Sequence, residues 1–287
     1  MKTLTEVYRY AAGKLNSAGI EDASFDAKVI FEAVFGVTYS QLVLNPGMKY
    51  DEGLTEKLDR MLDERVNGRP LQYIIGEWDF MGFTFRVGEG VLIPRPETEM
   101  LVEYTVSKLK DVPNPVVFDL CSGSGCIGLS VKKLLPSARV FTVEKSDEAI
   151  RYLELNRENL GLARETVSIQ GDILNGYEGF ASLPKPDVIL SNPPYIKSEE
   201  IPALQKEVQL EPKMALDGGE DGYIFYRCLA EKWLPYINEG GYMAIECGEE
   251  QAEEISGMFA PYCTKTEILE DFSGIPRVVI GQKQTNR

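Results

Sequence analysis

The feature that most constrains the fold is a regular alternation of short apolar stretches and helical stretches that starts near residue 115. Five apolar stretches are predicted to be strands, at residues 116–120, 139–144, 167–170, 188–190 and 242–245. Helical periodicity is found near residues 126–135, 146–160, 223–237 and 252–259. Because successive parallel strands are joined by crossover helices, this order predicts a mainly parallel sheet with helices on both faces. Residues 265–269 and 278–281 are expected to close one edge as a hairpin.

The residues before this alternation have a different pattern. Residues 1–70 carry four apolar helical faces separated by glycine and asparagine, which predicts a small helical bundle with Ser24 capping its second helix. Residues 71–95 alternate aromatic and polar side chains from Tyr73 onward, which predicts a β-hairpin linker. Residues 96–287 form the larger domain and begin with a helix. We interpret the bundle as a substrate-docking domain.

Composition excludes several classes of function. The 287 residues include no histidine, which excludes Ser-His-Asp and Cys-His catalysis and most metal sites. The formal net charge is −15, whereas nucleic-acid-binding proteins usually present basic surfaces, so direct nucleic-acid binding is not expected. Five scattered cysteines without a Cys-x-x-Cys pair are typical of reduced thiols. With no long apolar run and no signal peptide, we expect a cytoplasmic monomer that contacts no membrane and binds no metal.

A glycine-rich turn follows the first predicted strand of the larger domain. Gly123, Gly125 and Gly128 have the spacing Gly-x-Gly-x-x-Gly, and Glu144 lies about 20 residues further on. Glycines let the backbone approach a cofactor closely, and an acidic residue at the end of the next strand accepts hydrogen bonds from ribose hydroxyls. The turn therefore predicts a site for a cofactor that contains adenosine, without specifying NAD.

Acidic residues near the ends of three successive strands indicate which kind of adenosine-containing cofactor fits. Asp119 lies just before the glycine turn, Glu144 ends the second strand, and Asp172 follows the third. The carboxyl ends of parallel strands meet at one edge of the sheet, where open α/β sheets bind their ligands. Three carboxylates at that edge suit a cationic ligand without phosphate, such as S-adenosylmethionine.

The fourth predicted strand ends in an unusual turn, Asn192-Pro-Pro-Tyr195. The two prolines have fixed φ angles and no N–H groups, and a residue before proline is driven toward an extended backbone. The turn is therefore stiff, and it presents one amide side chain, backbone carbonyls and one aromatic ring. These groups suit a planar NH₂, since two acceptors can hold its two hydrogens beside a flat surface.

With these motifs together, the sequence resembles the class I methyltransferases, and more narrowly the release-factor glutamine methyltransferases of the PrmC/HemK family. The resemblance covers nearly the whole chain, including the stretches 93–99, 119–125, 192–195, 210–212, 215–219 and 245–248. It departs from the family at Cys121, where glycine is frequent, at Glu144, where aspartate is frequent, and at Cys247, where histidine is common.

The resemblance implies a Rossmann-like α/β fold with a mainly parallel seven-stranded sheet. It also implies transfer of a methyl group from S-adenosylmethionine to the glutamine side-chain nitrogen (N5) of a Gly-Gly-Gln motif in peptide chain release factors, with S-adenosylhomocysteine as the other product. The residues expected to bind the cofactor are Asp119, Cys121, Ser122, Gly123, Ser124, Gly125, Glu144, Asp172, Ile173 and Asn192. The expected catalytic residues are Asn192, Pro193 and Tyr195, and substrate binding adds Pro194 and Arg95.

Four alternatives remain open from sequence. Adenine-N6 methyltransferases of nucleic acids use the same kind of turn on a flipped base, but the charge of −15 opposes this activity. Enzymes that methylate a glutamine of a ribosomal protein also carry the turn. An NAD-dependent oxidoreductase or a cofactor-binding adaptor explains the glycine turn but leaves the Asn192 turn without a use. Trp78, Arg95 and Glu246 can belong to the site or to the scaffold, and we favour the scaffold for Trp78 and Glu246.

Overall fold

The computed structural model describes residues 3–283. The chain forms two compact units. One unit comprises Met1–Glu77 together with Gln205–Leu210, and the other comprises Trp78–Leu204 together with Glu211–Arg287. We call them the helical unit and the sheet unit.

From residue 3 onward, the helical unit contains five α-helices, α1 (Leu4–Ser17), α2 (Ala23–Phe35), α3 (Tyr39–Leu44), α4 (Thr55–Val66) and α5 (Leu71–Ile75). Its buried core includes Leu15, Ile30, Phe31 and Leu62, which lie on the apolar faces of three of these helices. The helix α2 begins one residue before Ser24, so Asp22 occupies the capping position and the expected Ser24 cap is wrong.

One arginine, which pairs with two carboxylates, connects the short segment Gln205–Leu210 to the helices of this unit. The Arg65 guanidinium contacts Asp26 at 2.5 Å and Glu207 at 2.7 Å. Arg65 and Asp26 are buried, and Glu207 is partly exposed. Because a buried charge is costly without a partner, these contacts explain why residues far apart in sequence belong to one unit.

The predicted hairpin is present but shorter than expected. It consists of β1 (Glu77–Phe80) and β2 (Phe83–Arg86), joined by Met81 and Gly82, which both have positive φ. Such a two-residue turn matches the twist of the two strands. The hairpin was expected from Tyr73, but Tyr73 lies in α5, because the left-handed Gly76 ends that helix immediately before the strand.

Among its residues that the structure describes, the sheet unit has seven strands in its main sheet and six α-helices. Its elements are α6 (Glu99–Leu109), β3 (Val116–Leu120), α7 (Cys126–Leu134), β4 (Arg139–Glu144), α8 (Asp147–Asn159), β5 (Thr166–Gln170), β6 (Val188–Ser191), α9 (Lys213–Leu216), α10 (Ile224–Lys232), β7 (Tyr242–Glu246), α11 (Ala252–Phe259), β8 (Cys263–Glu270) and β9 (Pro276–Lys283). The strand order is β5-β4-β3-β6-β7-β9-β8, with β9 antiparallel to both neighbours and the other pairs parallel.

This topology confirms the predicted mainly parallel seven-stranded sheet and its antiparallel edge. All five residues of β3 are buried, as are all four of β6 and all five of β7. The strand order reverses at β3, which has β4 on one side and β6 on the other. Ligands of open α/β sheets bind at the carboxyl ends of the strands at such a reversal. Among residues 3–283, no helix is both long enough and apolar enough to span a membrane.

Candidate active site

A cleft opens at the carboxyl ends of β3, β4, β5 and β6, entirely within the sheet unit. Ten of the residues predicted from sequence line it: Arg95, Cys121, Ser122, Gly123, Ser124, Glu144, Asp172, Ile173, Asn192 and Pro194. Four other predicted residues, Asp119, Gly125, Pro193 and Tyr195, are not among the lining residues. Apolar side chains of Val91, Ile93, Val143 and Phe225 complete the walls.

Close packing and left-handed backbone conformations restrict which residues the turn after β3 can contain. Gly125 has a φ of +81°, and a Cβ there would lie 2.4 Å from a methyl carbon of Leu153. Cys121 also lies in the left-handed region, with a φ of 59°. That conformation favours glycine, so the cysteine side chain is strained there.

Asp119 lies beneath this turn, fully buried in β3. Its Oδ2 accepts the backbone N–H of Gly128 at 2.9 Å, and its Oδ1 has no hydrogen-bond partner among residues 3–283. Burial raises the pKa of the Asp119 carboxyl to about 7, against the lowering effect of the Gly128 N–H. A cationic donor close to this oxygen would relieve the cost of an unpaired buried carboxylate.

Glu144 holds the conformation of the turn from the neighbouring strand. Its Oε2 accepts the Gly123 N–H at 2.8 Å, while its Oε1 accepts the N–H groups of Lys145 and Ser146 at 2.7 and 2.8 Å. Each carboxylate oxygen has two acceptor positions, so Oε2 can still accept a hydroxyl group. The longer side chain of glutamate is therefore compatible with a ribose contact at this strand end.

Asp172 follows β5 and is partly exposed at the cleft. Its Oδ1 accepts the Leu174 N–H at 2.9 Å, and its Oδ2 pairs with the Lys145 Nζ at 2.9 Å. Although burial opposes the change, these two contacts lower the pKa of Asp172, so it is ionised at neutral pH. An ionised carboxylate at this edge can accept a hydrogen bond from an amine.

Asn192 comes directly after β6 and lines the cleft. Its Nδ2 donates to the Thr98 Oγ1 at 3.2 Å, and Thr98 donates to the Glu246 Oε2 at 2.5 Å. Within residues 3–283 the Asn192 Oδ1 makes no hydrogen bond. Sequence reasoning gave no role to Thr98, because it lies 94 positions before Asn192 and only the folded chain brings the two together.

Glu246 lies behind Thr98 and is buried at the end of β7. Burial raises the pKa of the Glu246 carboxyl to about 7, although the hydrogen bond from Thr98 acts in the opposite direction. Glu246 does not line the cleft, and it contacts the Asn192 amide only through Thr98.

Tyr195 packs against the apolar core at the end of the sheet and is partly buried. Burial, together with the Glu246 charge, raises the pKa of its hydroxyl to about 12. Glycine is required beside it, because a Cβ at Gly218 would lie 2.7 Å from the Tyr195 Cα. The glycines of the 215–219 stretch therefore allow a close approach of two backbone segments.

Arg95 is held at the cleft by Glu211, a second residue to which sequence reasoning gave no role. The buried Glu211 carboxylate pairs with the Arg95 guanidinium, and its Oε2 accepts the backbone N–H of Ile93 at 3.0 Å. Glu211 lies in the 210–212 stretch that contributed to the resemblance described above. It fixes the loop 91–95, which forms one wall of the cleft.

Comparisons with known proteins identify the families and the fold of the chain. Residues 6–76 match the PrmC N-terminal domain family, and residues 97–220 match the methyltransferase small domain family. Among solved structures, a 16S rRNA methyltransferase of T. thermophilus in complex with AdoMet and guanosine is 18% identical, with a TM-score of 0.53, covering 72% of this chain and 50% of that one. The hMettl16 catalytic domain with an RNA hairpin is 11% identical, with a TM-score of 0.56, covering 83% and 86%. At these identities the structures show the class I methyltransferase fold alone.

Curated relatives are more similar. A release factor glutamine methyltransferase of Thermodesulfovibrio yellowstonii is 38% identical over 245 residues, covering 83% of this chain and 85% of the relative. Those of Aquifex aeolicus and Caulobacter vibrioides are 34% and 36% identical, and cover at least 90% of both chains in each comparison. This chain therefore belongs to the family of release factor glutamine methyltransferases.

Proposed function

We propose that this protein transfers a methyl group from S-adenosylmethionine to the side-chain N5 of the glutamine in the Gly-Gly-Gln motif of peptide chain release factors. One observation carries the proposal beyond family membership. Asn192 stands at the reversal point of the sheet with its Nδ2 bound to Thr98, which leaves its Oδ1 as an acceptor at the cleft. That arrangement suits the NH₂ group of an amide substrate.

The walls of the cleft fit the cofactor. Glu144 and Asp172 supply carboxylates at two strand ends, the glycine turn supplies close backbone, and Val91 and Ile173 supply apolar surface. When bound, S-adenosylmethionine supplies a methyl group carried on a positively charged sulfur. We infer that Glu144 holds the ribose, that Asp172 holds the adenine amine, and that Asp119 stabilises the positively charged end from beneath the turn.

The protein's main contribution to the reaction is orientation of a weak nucleophile. An amide nitrogen is unreactive because its lone pair is delocalised into the carbonyl. We infer that the Asn192 Oδ1 and the Pro193 carbonyl accept the two N–H hydrogens, while Tyr195 and Pro194 pack beside the amide plane. Holding the lone pair in line with the methyl group is an effect worth up to roughly 7–11 kcal/mol. No strong base is needed, because the proton can leave after the methyl group has been transferred.

We infer that the helical unit, which contains the bundle predicted at residues 1–70, docks the protein substrate. None of the residues that line the cleft belongs to this unit. It exposes the apolar side chains of Phe25, Val43 and Leu44, which are available to contact a protein partner.

The proposal is tested by incubating the protein with labelled S-adenosylmethionine and a purified release factor. Label is expected on the wild-type factor and not on a factor whose motif glutamine is replaced by alanine. DNA serves as a separate substrate, and label on DNA but not on the factor would contradict the proposal. An Asn192→Ala variant is expected to lose transfer while it still binds the cofactor. Full turnover in that variant would mean that the turn is only structural.

A further inference from the structure

Three polar side chains form a line that runs from the cleft into the protein. Asn192 and Thr98 both line the cleft, although Thr98 is only 2% exposed, and Glu246 lies behind them, 4% exposed and outside the lining. The hydrogen bonds run from the Asn192 Nδ2 to the Thr98 Oγ1 at 3.2 Å, and from the Thr98 hydroxyl to the Glu246 Oε2 at 2.5 Å. Within residues 3–283, Thr98 is the only side chain that donates a hydrogen bond to the Glu246 carboxyl.

The chemistry of these groups determines the direction of every bond in the line. An ionised carboxylate can only accept, so the single hydrogen of the Thr98 hydroxyl is committed to Glu246. Toward Asn192, Thr98 then presents only lone pairs. The amide must turn its NH₂ group to Thr98, because its oxygen would face a second acceptor. The Asn192 oxygen is consequently directed to the opposite side of the amide.

We propose that Thr98, held by Glu246, is a positioning residue that keeps the Asn192 amide in the orientation that accepts hydrogen bonds and so selects an amide over a carboxylate. The inference rests on the proposed function. A glutamine side chain offers two hydrogens to an acceptor, whereas a glutamate side chain offers none and would require the NH₂ group of Asn192 instead. Orientation of one amide thus discriminates between two nearly isosteric side chains.

Replacement of Thr98 by valine removes the hydroxyl group and releases the Asn192 amide to rotate. With Thr98→Val we expect kcat on the release factor to fall about tenfold, the effect of one lost hydrogen bond. The KM for S-adenosylmethionine is expected to stay within about twofold of wild type, because Glu144 and Asp172, which we infer to hold the cofactor, have other hydrogen-bond partners than Thr98. Thr98→Ser keeps the hydroxyl and is expected to restore kcat.

The specific readout is discrimination between two forms of the release factor. The wild-type factor is the substrate, and a factor with Gln→Glu in its motif is a competitive inhibitor. We expect the ratio of Ki to KM to fall about tenfold in Thr98→Val. The assay is run near pH 8, because the pKa of Glu246 is about 7 and the ionised form accepts only. The control is Thr105→Val, since Thr105 is a fully buried threonine of α6 that does not line the cleft.

The outcomes separate this inference from the proposed function. If the wild-type enzyme does not methylate the factor, the proposed function fails and this inference fails with it. If the wild-type enzyme is active and Thr98→Val has the same ratio of Ki to KM as Thr105→Val, only this inference is overturned. Should Thr98→Val fail to fold in a thermal unfolding measurement, Glu246→Leu decides, because leucine at 246 offers no acceptor and leaves the Thr98 hydroxyl free to donate to the Asn192 oxygen. Unchanged discrimination in Glu246→Leu would then overturn the inference.

Discussion

Glu211 does not itself line the cleft, but it holds two residues that do. We expect its removal to damage the cleft directly. It satisfies the buried N–H of Ile93 at 3.0 Å and pairs with Arg95, and both partners lie on the loop that forms one wall. In Glu211→Ala, the Ile93 N–H is left unpaired, which costs about 1–3 kcal/mol. The Arg95 side chain is 32% exposed and can be hydrated, so loss of the ion pair adds only about 1 kcal/mol.

The expected loss in the free energy of unfolding is therefore about 2–4 kcal/mol for Glu211→Ala. Glu211→Gln keeps an acceptor for Ile93 and is expected to lose about 1 kcal/mol. Urea unfolding followed by tryptophan fluorescence measures this loss. The signal reports on the sheet unit, because the two tryptophans of the chain, Trp78 and Trp233, both lie there. Affinity for S-adenosylmethionine is measured by calorimetry and is expected to fall as the loop loosens.

The matched control is Glu200→Ala. Glu200 is exposed, and among residues 3–283 its side chain pairs only with Lys197 at the surface, so its loss is expected to cost less than about 0.5 kcal/mol. If Glu211→Ala were as stable as this control, the reasoning from the buried Ile93 N–H would be refuted. If stability fell but cofactor affinity were unchanged, Glu211 would support the fold without shaping the cleft.

Three further changes test other parts of the sheet unit. Cys121→Gly removes the strain of a left-handed backbone, which stabilises the protein, but it also adds backbone entropy to the unfolded chain, which opposes that gain. The free energy of urea unfolding is therefore expected to rise by between zero and about 1 kcal/mol. Gly128→Ala places a Cβ 2.9 Å from the Asp119 Oδ2, and is expected to destabilise by about 1–3 kcal/mol and to weaken cofactor binding measured by calorimetry. Glu246→Gln tests the pH dependence of stability. Burial raises the pKa of Glu246 from 4.5 to about 7, so between these values the folded state keeps a proton that the unfolded state releases. The stability of the wild type therefore falls as the pH rises through that window. Unfolding curves of Glu246→Gln between pH 4 and pH 8 (roughly the window of the shift) are expected to lack that decline.

Each of these expectations can fail in a distinct way. A loss of more than about 1 kcal/mol in Cys121→Gly would mean that the cysteine side chain contributes packing that outweighs its strain. Wild-type stability in Gly128→Ala would show that Asp119 has room to move. Parallel pH profiles for wild type and Glu246→Gln would place the pKa of Glu246 near its ordinary value.

The sequence by itself determined the parts of the protein that depend on local rules. Apolar stretches separated by helical periodicity predicted the strands of the parallel sheet, and five of them were found within two residues of the expected bounds. The glycine turn and the Asn192 turn could be recognised because their residues are neighbours in the chain. Where two local signals competed, as at Tyr73, the stronger helix end at Gly76 decided the outcome and the sequence-based expectation failed.

Only the tertiary structure decided which distant residues support the site. Thr98 and Glu246 are 148 positions apart, and Ile93 and Glu211 are 118 positions apart, yet each pair is joined by a hydrogen bond. Thr98 lies at the start of α6, which packs against β7, whereas Ile93 and Glu211 lie on two loops of the sheet unit. No spacing in the chain encodes such contacts, because they depend on strand register and on where buried polar groups find partners. The sequence therefore indicated the groups that face the ligands, and the fold added the groups that hold them in place.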